Sequence, residues 1–274
     1  MKKIALSIFV TMFVGHALAQ YHYNYSFTAE CSSGQTLYYQ CIDDYTVRIV
    51  QPFRYYDYSG KRDEDYTRGY VGPEGTLIIP ETVTDGGKTY IVTEIGGWYG
   101  GKPFVNCSGL TSITIPNSIK EIQEKAFEGC NGLTSVTIKS EADFSHVSLS
   151  FKKGNIRYEV KSKNEVWIRS PIYNRWDASA SENKYSGDIV ISAKVTAGNT
   201  FSVTGIDYEA FSACIDLTSV TIPSSVINVG ANAFASCIHL TAIYCQAKSK
   251  PIGWNAKWNP NDYKVVWGAV SKFQ

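Results

Sequence analysis

Cysteine and histidine are the residue types in this chain whose side chains could serve as nucleophiles, proton carriers or metal ligands. The sequence has seven cysteines and four histidines. Cysteine catalysis requires an accessible thiolate beside a histidine, and His239 lies two positions after Cys237. We interpret this pair as a surface histidine beside a buried thiol, because the cysteines recur with the period of a structural repeat, as described below.

The motifs of common enzymes and metal sites are absent from the sequence. It has no H-E-x-x-H, no G-x-S-x-G, no phosphate-binding loop, no dinucleotide fingerprint and no calcium-binding loop. The cysteines are not spaced as C-x-x-C pairs, which a zinc site requires. We therefore expect a protein that is not an enzyme, with no catalytic residues, no cofactor and no bound metal ion.

An internal repeat dominates the sequence. The stretch LTSITIPNSIKEIQEKAFEGCNG at 110–132 recurs as LTSVTIPSSVINVGANAFASCIH at 217–239, and each copy begins again directly afterwards. The alternation of apolar and polar residues in L-T-S-I-T-I predicts a short strand, which the following proline ends. One such coil cannot bury its apolar edge alone, so we expect successive coils to stack.

The full pattern is L-x-x-[IV]-x-I-P-x-x-[IV]-x-x-[IV]-x-x-x-A-F-x-x-C, and it resembles the BspA-like leucine-rich repeat proteins of gut and oral Gram-negative bacteria. It covers roughly 75–139 and 187–245. The resemblance implies a mainly β leucine-rich-repeat solenoid with short irregular or helical turns on its convex side. A glycine usually follows the isoleucine of the turn in that family; Gly96 and Gly230 keep it, whereas Gln123 and Asp207 depart from it.

A larger duplication encloses the repeats. TLYYQCIDDYTVRIVQP at 36–52 matches NIRYEVKSKNEVWIRSP at 155–171, and each stretch predicts a β-hairpin. We expect these hairpins to cap or continue the repeat sheet, because the ends of a solenoid expose unpaired backbone. The chain then comprises two modules, 20–149 and 150–274, each with a hairpin, a linker and three repeat rungs. In the first module YHYNYSF at 21–27, which alternates aromatic with polar residues, predicts an N-terminal strand before the hairpin. A tryptophan-rich segment caps the second module.

Residues 1–19 have the features of a signal peptide. Lys2 and Lys3 precede a short apolar stretch, and Ala17-Leu18-Ala19 supplies a small-x-small cleavage site. We predict an exported protein that is secreted, displayed on the cell surface or periplasmic in a Gram-negative bacterium, without membrane insertion after cleavage. The 26 basic and 25 acidic residues nearly cancel, so we expect no nucleic-acid partner.

The phase of the repeat argues that most cysteines are buried thiols. Four of them occupy one position of four coils: Cys107, Cys130, Cys214 and Cys237. Cys245 aligns with Ile222, and Cys41 aligns with Val160 of the second hairpin, so each replaces a core residue. Disulfides between neighbouring rungs are the alternative. Cys31 has no counterpart, and a Cys31–Cys41 bridge stays open.

Two surfaces are candidates for partner binding. The first is a ladder of outward hydroxyl-bearing side chains on the repeat strands, whose members include Thr111, Thr114, Thr134, Thr137, Thr218, Thr221 and Tyr244. The second is the Tyr/Arg-rich linker of the first module, interpreted as a loop over 53–70, with Arg54, Tyr55, Tyr56, Tyr58, Arg62 and Arg68. The alternative for the ladder is that its threonines are present only for their β-propensity. The alternative for the linker is a solvated loop without a binding role.

The resemblance implies adhesion to host matrix proteins or to other bacteria through an extended repeat face. We therefore predict an interaction protein whose partner is a protein or glycoprotein. Carbohydrate binding is the alternative function, with the exposed aromatic residues Trp98, Tyr99, Tyr55 and Tyr56 as platforms for stacking sugars.

Overall fold

The fold is mainly β, as the sequence predicts. A computed structural model describes residues 25–52, 72–96, 101–170 and 184–270 in full, and the backbone alone of 20–23 and 53–56. All regular elements in these ranges are strands. The mainly β leucine-rich-repeat fold is therefore confirmed. The turns between its strands are irregular, so the helical alternative for them is wrong in this part of the chain. The predicted signal segment 1–19 lies outside the described residues.

The chain divides into two compact units. Unit 1 comprises the residues up to Leu133 together with Thr137–Leu149, and unit 2 comprises Thr134–Val136 together with the residues from Ser150 onward. Each unit contains a hairpin followed by strands of the repeat. The derivation of the two units from one duplicated module stays a prediction.

Among the described residues, eleven strands precede residue 150. In chain order they are β1 (Gln20–Tyr23), β2 (Phe27–Glu30), β3 (Thr36–Cys41), β4 (Thr46–Ile49), β5 (Phe53–Tyr56), β6 (Gly75–Ile78), β7 (Thr82–Asp85), β8 (Lys88–Ile95), β9 (Leu110–Ile115), β10 (Glu121–Ile122) and β11 (Ser135–Ile138). The last of these, β11, spans the division between the units.

The repeat strands of this half form two sheets. The sheet ordered β6-β9-β11, which we call ladder sheet 1, contains the predicted L-T-S-I-T-I strands. A second sheet, back sheet 1, has the order β2-β3-β4-β8-β10, with β7 also paired to β8. The coil that begins with β9 contributes one strand to each sheet, because it reaches the back sheet as β10, which pairs in parallel with β8. Apolar side chains from both strands, such as Ile113 and Ile122, are buried.

Unit 2 repeats this plan with one strand more in each of the two sheets. Its strands are β12 (Ser150–Lys153), β13 (Ile156–Ser162), β14 (Glu165–Ile168), β15 (Gly187–Val190), β16 (Lys194–Ala197), β17 (Asn199–Ile206), β18 (Leu217–Ile222), β19 (Asn228–Val229), β20 (Ala242–Cys245), β21 (Gly253–Trp254) and β22 (Val265–Trp267). Ladder sheet 2 has the order β15-β18-β20-β22, and back sheet 2 has the order β12-β13-β14-β17-β19-β21, with β16 also paired to β17.

A column of aromatic rings fills the interior of unit 2. The Phe211 and Phe234 rings of successive coils stack with centroids 5.0 Å apart. Tyr185 adjoins Phe211 at 4.7 Å, and Trp258 meets Phe234 edge to face at 5.8 Å. In the C-terminal segment the Trp254 indole N–H donates a hydrogen bond to the Val226 carbonyl at 3.1 Å. This segment thereby covers the last coil and adds β21 and β22 to the two sheets.

Both predicted hairpins are confirmed. The strands β3 and β4 pair antiparallel, as do β13 and β14. In the first turn the Asp43 carboxylate accepts hydrogen bonds from the backbone N–H groups of Tyr45 and Thr46, both at 2.8 Å. The hairpins continue the back sheets, because β4 pairs in parallel with β8 and β14 with β17.

The N-terminal strand and the start of the linker differ from the sequence-based expectation. The aromatic stretch 21–27 forms the end of β1 and the first residue of β2 instead of one strand. Residues 53–56, interpreted as the beginning of a loop, form β5 and pair antiparallel with β1. The loop assignment is therefore wrong at these positions. Aromatic residues favour strands, and both segments contain them at neighbouring positions.

Cys41 is not buried, which contradicts its alignment with Val160. Cys41 is exposed, whereas Val160 is fully buried. The reason lies in strand length: β3 ends at Cys41, whereas β13 continues two residues beyond Val160, to Ser162. A residue at the frayed end of a strand has fewer neighbours to cover it. The other six cysteines are buried, and all seven are free thiols, so neither the rung disulfides nor a Cys31–Cys41 bridge is present.

Candidate protein-binding surface

Ladder sheet 1 presents the predicted hydroxyl side chains on its outer face. Leu110, Ile113 and Ile115 of β9 are buried. The side chains between them face outward, with Thr111 exposed and both Ser112 and Thr114 half-buried. The next rung has the same pattern, since Thr134 is exposed and both Ser135 and Thr137 are half-buried. Because the apolar side chains fix the backbone from behind, the outward hydroxyl groups are held at strand spacing.

Ladder sheet 2 carries the corresponding residues of unit 2. Thr218 and Thr241 are exposed, and Thr221 and Tyr244 are half-buried. The rungs are joined in register, with Thr221 opposite Tyr244. The Thr241 hydroxyl also donates a hydrogen bond to the Thr218 carbonyl at 2.9 Å. The structure thus brings together the four predicted ladder residues Thr111, Thr114, Thr134 and Thr137 on one sheet and Thr218, Thr221 and Tyr244 on the other.

Asp188 is a ladder residue that sequence reasoning missed. It lies in β15 opposite Ser219, and its Oδ1 atom accepts hydrogen bonds from the hydroxyl groups of Ser219 at 2.5 Å and Thr218 at 2.7 Å. These two hydrogen bonds, that from Ser219 foremost, lower the pKa of the Asp188 carboxyl. Asp188 is therefore an ionised, exposed group at neutral pH. The signal for it in the sequence is Ile189, which keeps the buried apolar position of the rung strands and so makes its neighbour Asp188 outward.

The free edge of ladder sheet 1 is covered by the turn between β2 and β3. The Gln35 side-chain amide donates hydrogen bonds to the carbonyl oxygens of Glu74 and Thr76, both at 2.8 Å. The Ile78 N–H donates to the Ser33 hydroxyl at 2.9 Å. Side chains thus occupy hydrogen-bonding groups of β6 that a further strand would otherwise use. A partner of this sheet would accordingly contact its outer face.

The Tyr/Arg-rich linker is described only at its beginning. The backbones of Arg54, Tyr55 and Tyr56 lie in β5, and Tyr58, Arg62 and Arg68 lie outside the described residues. Trp98 and Tyr99, two of the proposed sugar platforms, also lie outside them. The binding roles assigned to these residues stay predictions.

The thiols of unit 2 lack the properties of nucleophiles. Burial raises the pKa of Cys214 to about 12 and that of Cys237 to about 11. Burial also raises the pKa of Cys245 to about 12, so all three remain protonated at neutral pH. His239 is exposed beside the buried Cys237. This confirms our interpretation of the pair.

In unit 1 the thiols of Cys107 and Cys130 are neighbours. Their hydrogen bond lowers the pKa of Cys107 and raises that of Cys130, and Cys130 also contacts the Phe104 carbonyl at 3.0 Å. Both thiols are buried. A nucleophile needs access to its substrate, which these positions do not give.

Among the residues that the structure describes, no group of three or more His, Cys, Asp or Glu side chains is placed to hold a metal ion. Nor does this part of the chain contain a helix that is long and apolar enough to cross a membrane.

The stacked parallel rungs, each with a buried leucine and an outward threonine, define a leucine-rich repeat protein. The family profile described as BspA type Leucine rich repeat region matches residues 99–159 and 192–260 and finds six copies. The repeats of this chain are of the BspA type, as the resemblance indicated. Leucine-rich repeat proteins of this kind are generally surface and protein-interaction proteins.

Solved structures of bacterial leucine-rich repeat proteins are similar to this chain. One from Bacteroides ovatus has 18% identity, with 85% of this chain and 70% of that chain covered and a TM-score of 0.34. One from Bacteroides capillosus has 22% identity, with 80% and 97% covered and a TM-score of 0.28. A leucine-rich cell surface protein from Faecalibacterium prausnitzii has 18% identity, with 85% of each chain covered and a TM-score of 0.26. None of the curated proteins compared with the chain matches it.

Proposed function

We propose that this protein is an exported, non-enzymatic adhesion or interaction protein that binds a protein or glycoprotein of the host matrix or of another bacterial surface. Its contact surface consists of the outer faces of the ladder sheets, together with the Tyr/Arg-rich linker. The observation that carries the proposal is the row of outward threonines, Thr111 and Thr134 on one sheet and Thr218 on the other. Each of them is exposed between buried leucine and isoleucine or valine side chains.

Physical chemistry supports this use of the ladder. A repeat sheet gives an extended surface that needs little ordering when a partner binds, which lowers the entropic cost of association. Hydroxyl side chains both donate and accept hydrogen bonds, so they can pair with the polar groups of a protein or of its attached glycans. The buried core behind the strands keeps these groups at a fixed spacing.

The linker adds the residue types that dominate protein interfaces. Tyrosine and arginine are enriched among the residues that contribute most binding energy, and Tyr58, Arg62 and Arg68 lie close together in the sequence. We propose that they form a second contact with the same partner.

Capture of the purified mature chain on a panel of immobilised matrix glycoproteins, glycans and whole bacterial cells tests this function. We expect capture by at least one glycoprotein or cell surface. The Tyr58→Ala/Arg62→Ala/Arg68→Ala variant should bind that target at least about tenfold more weakly. Unchanged capture would remove the linker from the surface, and capture by glycans alone would favour the carbohydrate-binding alternative.

Export to the outer surface is a separate part of the proposal and has its own test. Protease added to intact producing cells should remove the protein if it is displayed. Protection in intact cells, followed by loss after the outer membrane is opened, would place the protein in the periplasm and contradict a role in adhesion.

A further inference from the structure

The outer face of ladder sheet 2 has opposite charges at its two ends. In register, Asp188 of β15 lies opposite Ser219 of β18, and Ser219 lies opposite Ala242 of β20. Ile243 pairs with Val265 of β22, so Lys264 continues the row beside Ala242. Asp188 and Lys264 are both exposed. This row, polar except for the buried Ala242, runs from a carboxylate to an ammonium group over three strand spacings, about 14 Å.

A second outward row has a valine at each end and two hydroxyl-bearing residues between them. Val190 lies opposite Thr221, Thr221 opposite Tyr244, and Tyr244 opposite Val266. Val190 is 41% exposed although it is a large aliphatic residue, and Thr221, Tyr244 and Val266 are half-buried. This second row parallels the polar row.

We propose that this face binds the same face of a second copy of the chain, through a two-fold axis that is parallel to the strands and passes between β18 and β20. Such an axis reverses the order of the four strands in the second copy. Asp188 then faces Lys264 of the second copy, Val190 faces Val266, and Thr221 faces Tyr244. Each contact occurs twice, as an isologous interface requires.

Charge complementarity favours a second copy over other occupants. The carboxylate at one end matches the ammonium group at the other, so the face is complementary to itself. The Asp188 charge is also held in place, because its Oδ1 atom accepts two hydroxyl hydrogen bonds. Ladder sheet 1 lacks this pattern: Thr76 and Ser112 occupy the corresponding positions of its polar row.

The size of the face sets the strength of the dimer. Four strands with about five residues each present about 300 Å² per copy, well below the roughly 800 Å² per partner of stable complexes. We therefore expect a weak dimer in rapid exchange, with a dissociation constant in the micromolar range or above. Its exposed ion pairs should also weaken as salt is added.

Sedimentation velocity of the purified mature chain over a range of concentrations tests the proposal. The wild type should shift from monomer towards dimer as concentration rises. Asp188→Lys and Lys264→Asp each place like charges opposite each other and should weaken the dimer about tenfold. The combined Asp188→Lys/Lys264→Asp variant restores opposite charges at both contacts and should recover wild-type association.

Control variants keep the test independent of folding defects. Thr76→Lys adds a charge at the corresponding position of ladder sheet 1 and should leave association unchanged, whereas Val190→Arg should abolish it. Thermal unfolding of each variant verifies that it is folded. A wild type that stays monomeric, or single variants that the double exchange does not rescue, would overturn the proposal. Because this assay uses the purified chain alone, its outcome is separate from the capture of a different partner.

Discussion

Gly96 and Gln123 occupy the same position of two neighbouring coils, and the missing side chain of one makes room for the other. A Cβ atom built on Gly96 would lie 2.5 Å from the Cβ atom of Gln123 and 2.8 Å from the Gly101 carbonyl. Gly96 also has a φ of +80°, a conformation that favours glycine. The departure of Gln123 from the family pattern is therefore accommodated by the glycine beside it.

Unit 2 shows the same alternation with the order reversed. Gly230 lies in the later coil, and a Cβ atom built on it would lie 2.8 Å from the Asp207 carbonyl carbon and 2.7 Å from the Tyr208 Cα. Asp207, the second departure, is thus also beside a glycine. In this case the close contacts are with backbone atoms instead of a side chain.

Gly96 is close to a side chain and Gly230 to backbone atoms, so only a substitution at Gly96 can be partly compensated by a second substitution. Gly96→Ala should lower the free energy of unfolding by about 2–3 kcal/mol, from the positive φ and the contact with Gln123. Adding Gln123→Gly should recover about 1 kcal/mol of that loss, because it removes the side-chain contact. Denaturant unfolding of the two single variants and the double variant measures this coupling.

Gly230→Ala serves as the comparison for that cycle. It should be similarly destabilising, and Asp207→Gly should not relieve it, since the contacts are with the backbone. Additive effects at Gly96 and Gln123, with no recovery in the double variant, would contradict the explanation.

The repeat cysteines should stabilise the protein as buried thiols. Cys237 is fully buried, and its thiol donates a hydrogen bond to the Phe211 carbonyl of the preceding coil at 3.0 Å. Cys237→Ala should therefore lower the free energy of unfolding by about 1–2 kcal/mol. The exposed Cys41 is the matched control, and Cys41→Ala should change the free energy of unfolding by less than about 0.5 kcal/mol. Equal effects in urea unfolding would contradict the assignment.

The aromatic column should be the most sensitive part of unit 2. Phe234 is fully buried between Phe211 and Trp258, so Phe234→Ala leaves a cavity and should cost about 3–5 kcal/mol. Phe234→Leu retains more of the volume and should cost less. Thermal and denaturant unfolding of both variants provides the comparison, and a tolerated alanine would show that the column does not support the fold.

The two hydroxyl groups at Asp188 should be visible in its titration. The hydrogen bond from Ser219 lowers the pKa of this carboxyl, so Ser219→Ala should raise it towards the ordinary value of about 3.9. Because the folded-state pKa is the lower one, the stabilisation is present above the unfolded-state pKa and is lost as pH falls through the folded value. NMR titration of the Asp188 side chain measures the shift, with Ser112→Ala as a control on the other ladder sheet. An unchanged pKa in Ser219→Ala would refute the contact.

Most of the fold could be predicted because the same apolar pattern recurs in several coils. The alternation in L-T-S-I-T-I and the proline after it identify each rung, so the burial of Ile113 and the exposure of Thr111 follow from the sequence. The hairpins could be found because two copies agree in their apolar positions. Such agreement between copies turns weak local signals into strong ones.

The incorrect or missing predictions have a common cause, since each depends on contacts that cannot be inferred from the repeat pattern. Cys41 is exposed because β3 ends there, and alignment with Val160 carries no information about where a strand ends. Residues 53–56 form a strand because β1 pairs with them, and that pairing joins distant parts of the sequence. Asp188 is missed because its strand, GDIV at 187–190, keeps little of the L-T-S-I-T-I pattern, although its position in register with Ser219 makes it part of the ladder.

The central claim is that the outward hydroxyl faces of the ladder sheets bind the partner. The most direct measurement compares the affinity of Thr111→Lys/Thr218→Lys for the captured target with that of Ile227→Lys/Ile252→Lys. The control adds the same charge beside back sheet 2, at Ile227 and Ile252, which are 54% and 106% exposed. We predict that the ladder variant binds at least about tenfold more weakly than wild type, whereas the control binds normally. Equal binding by both variants would contradict the claim.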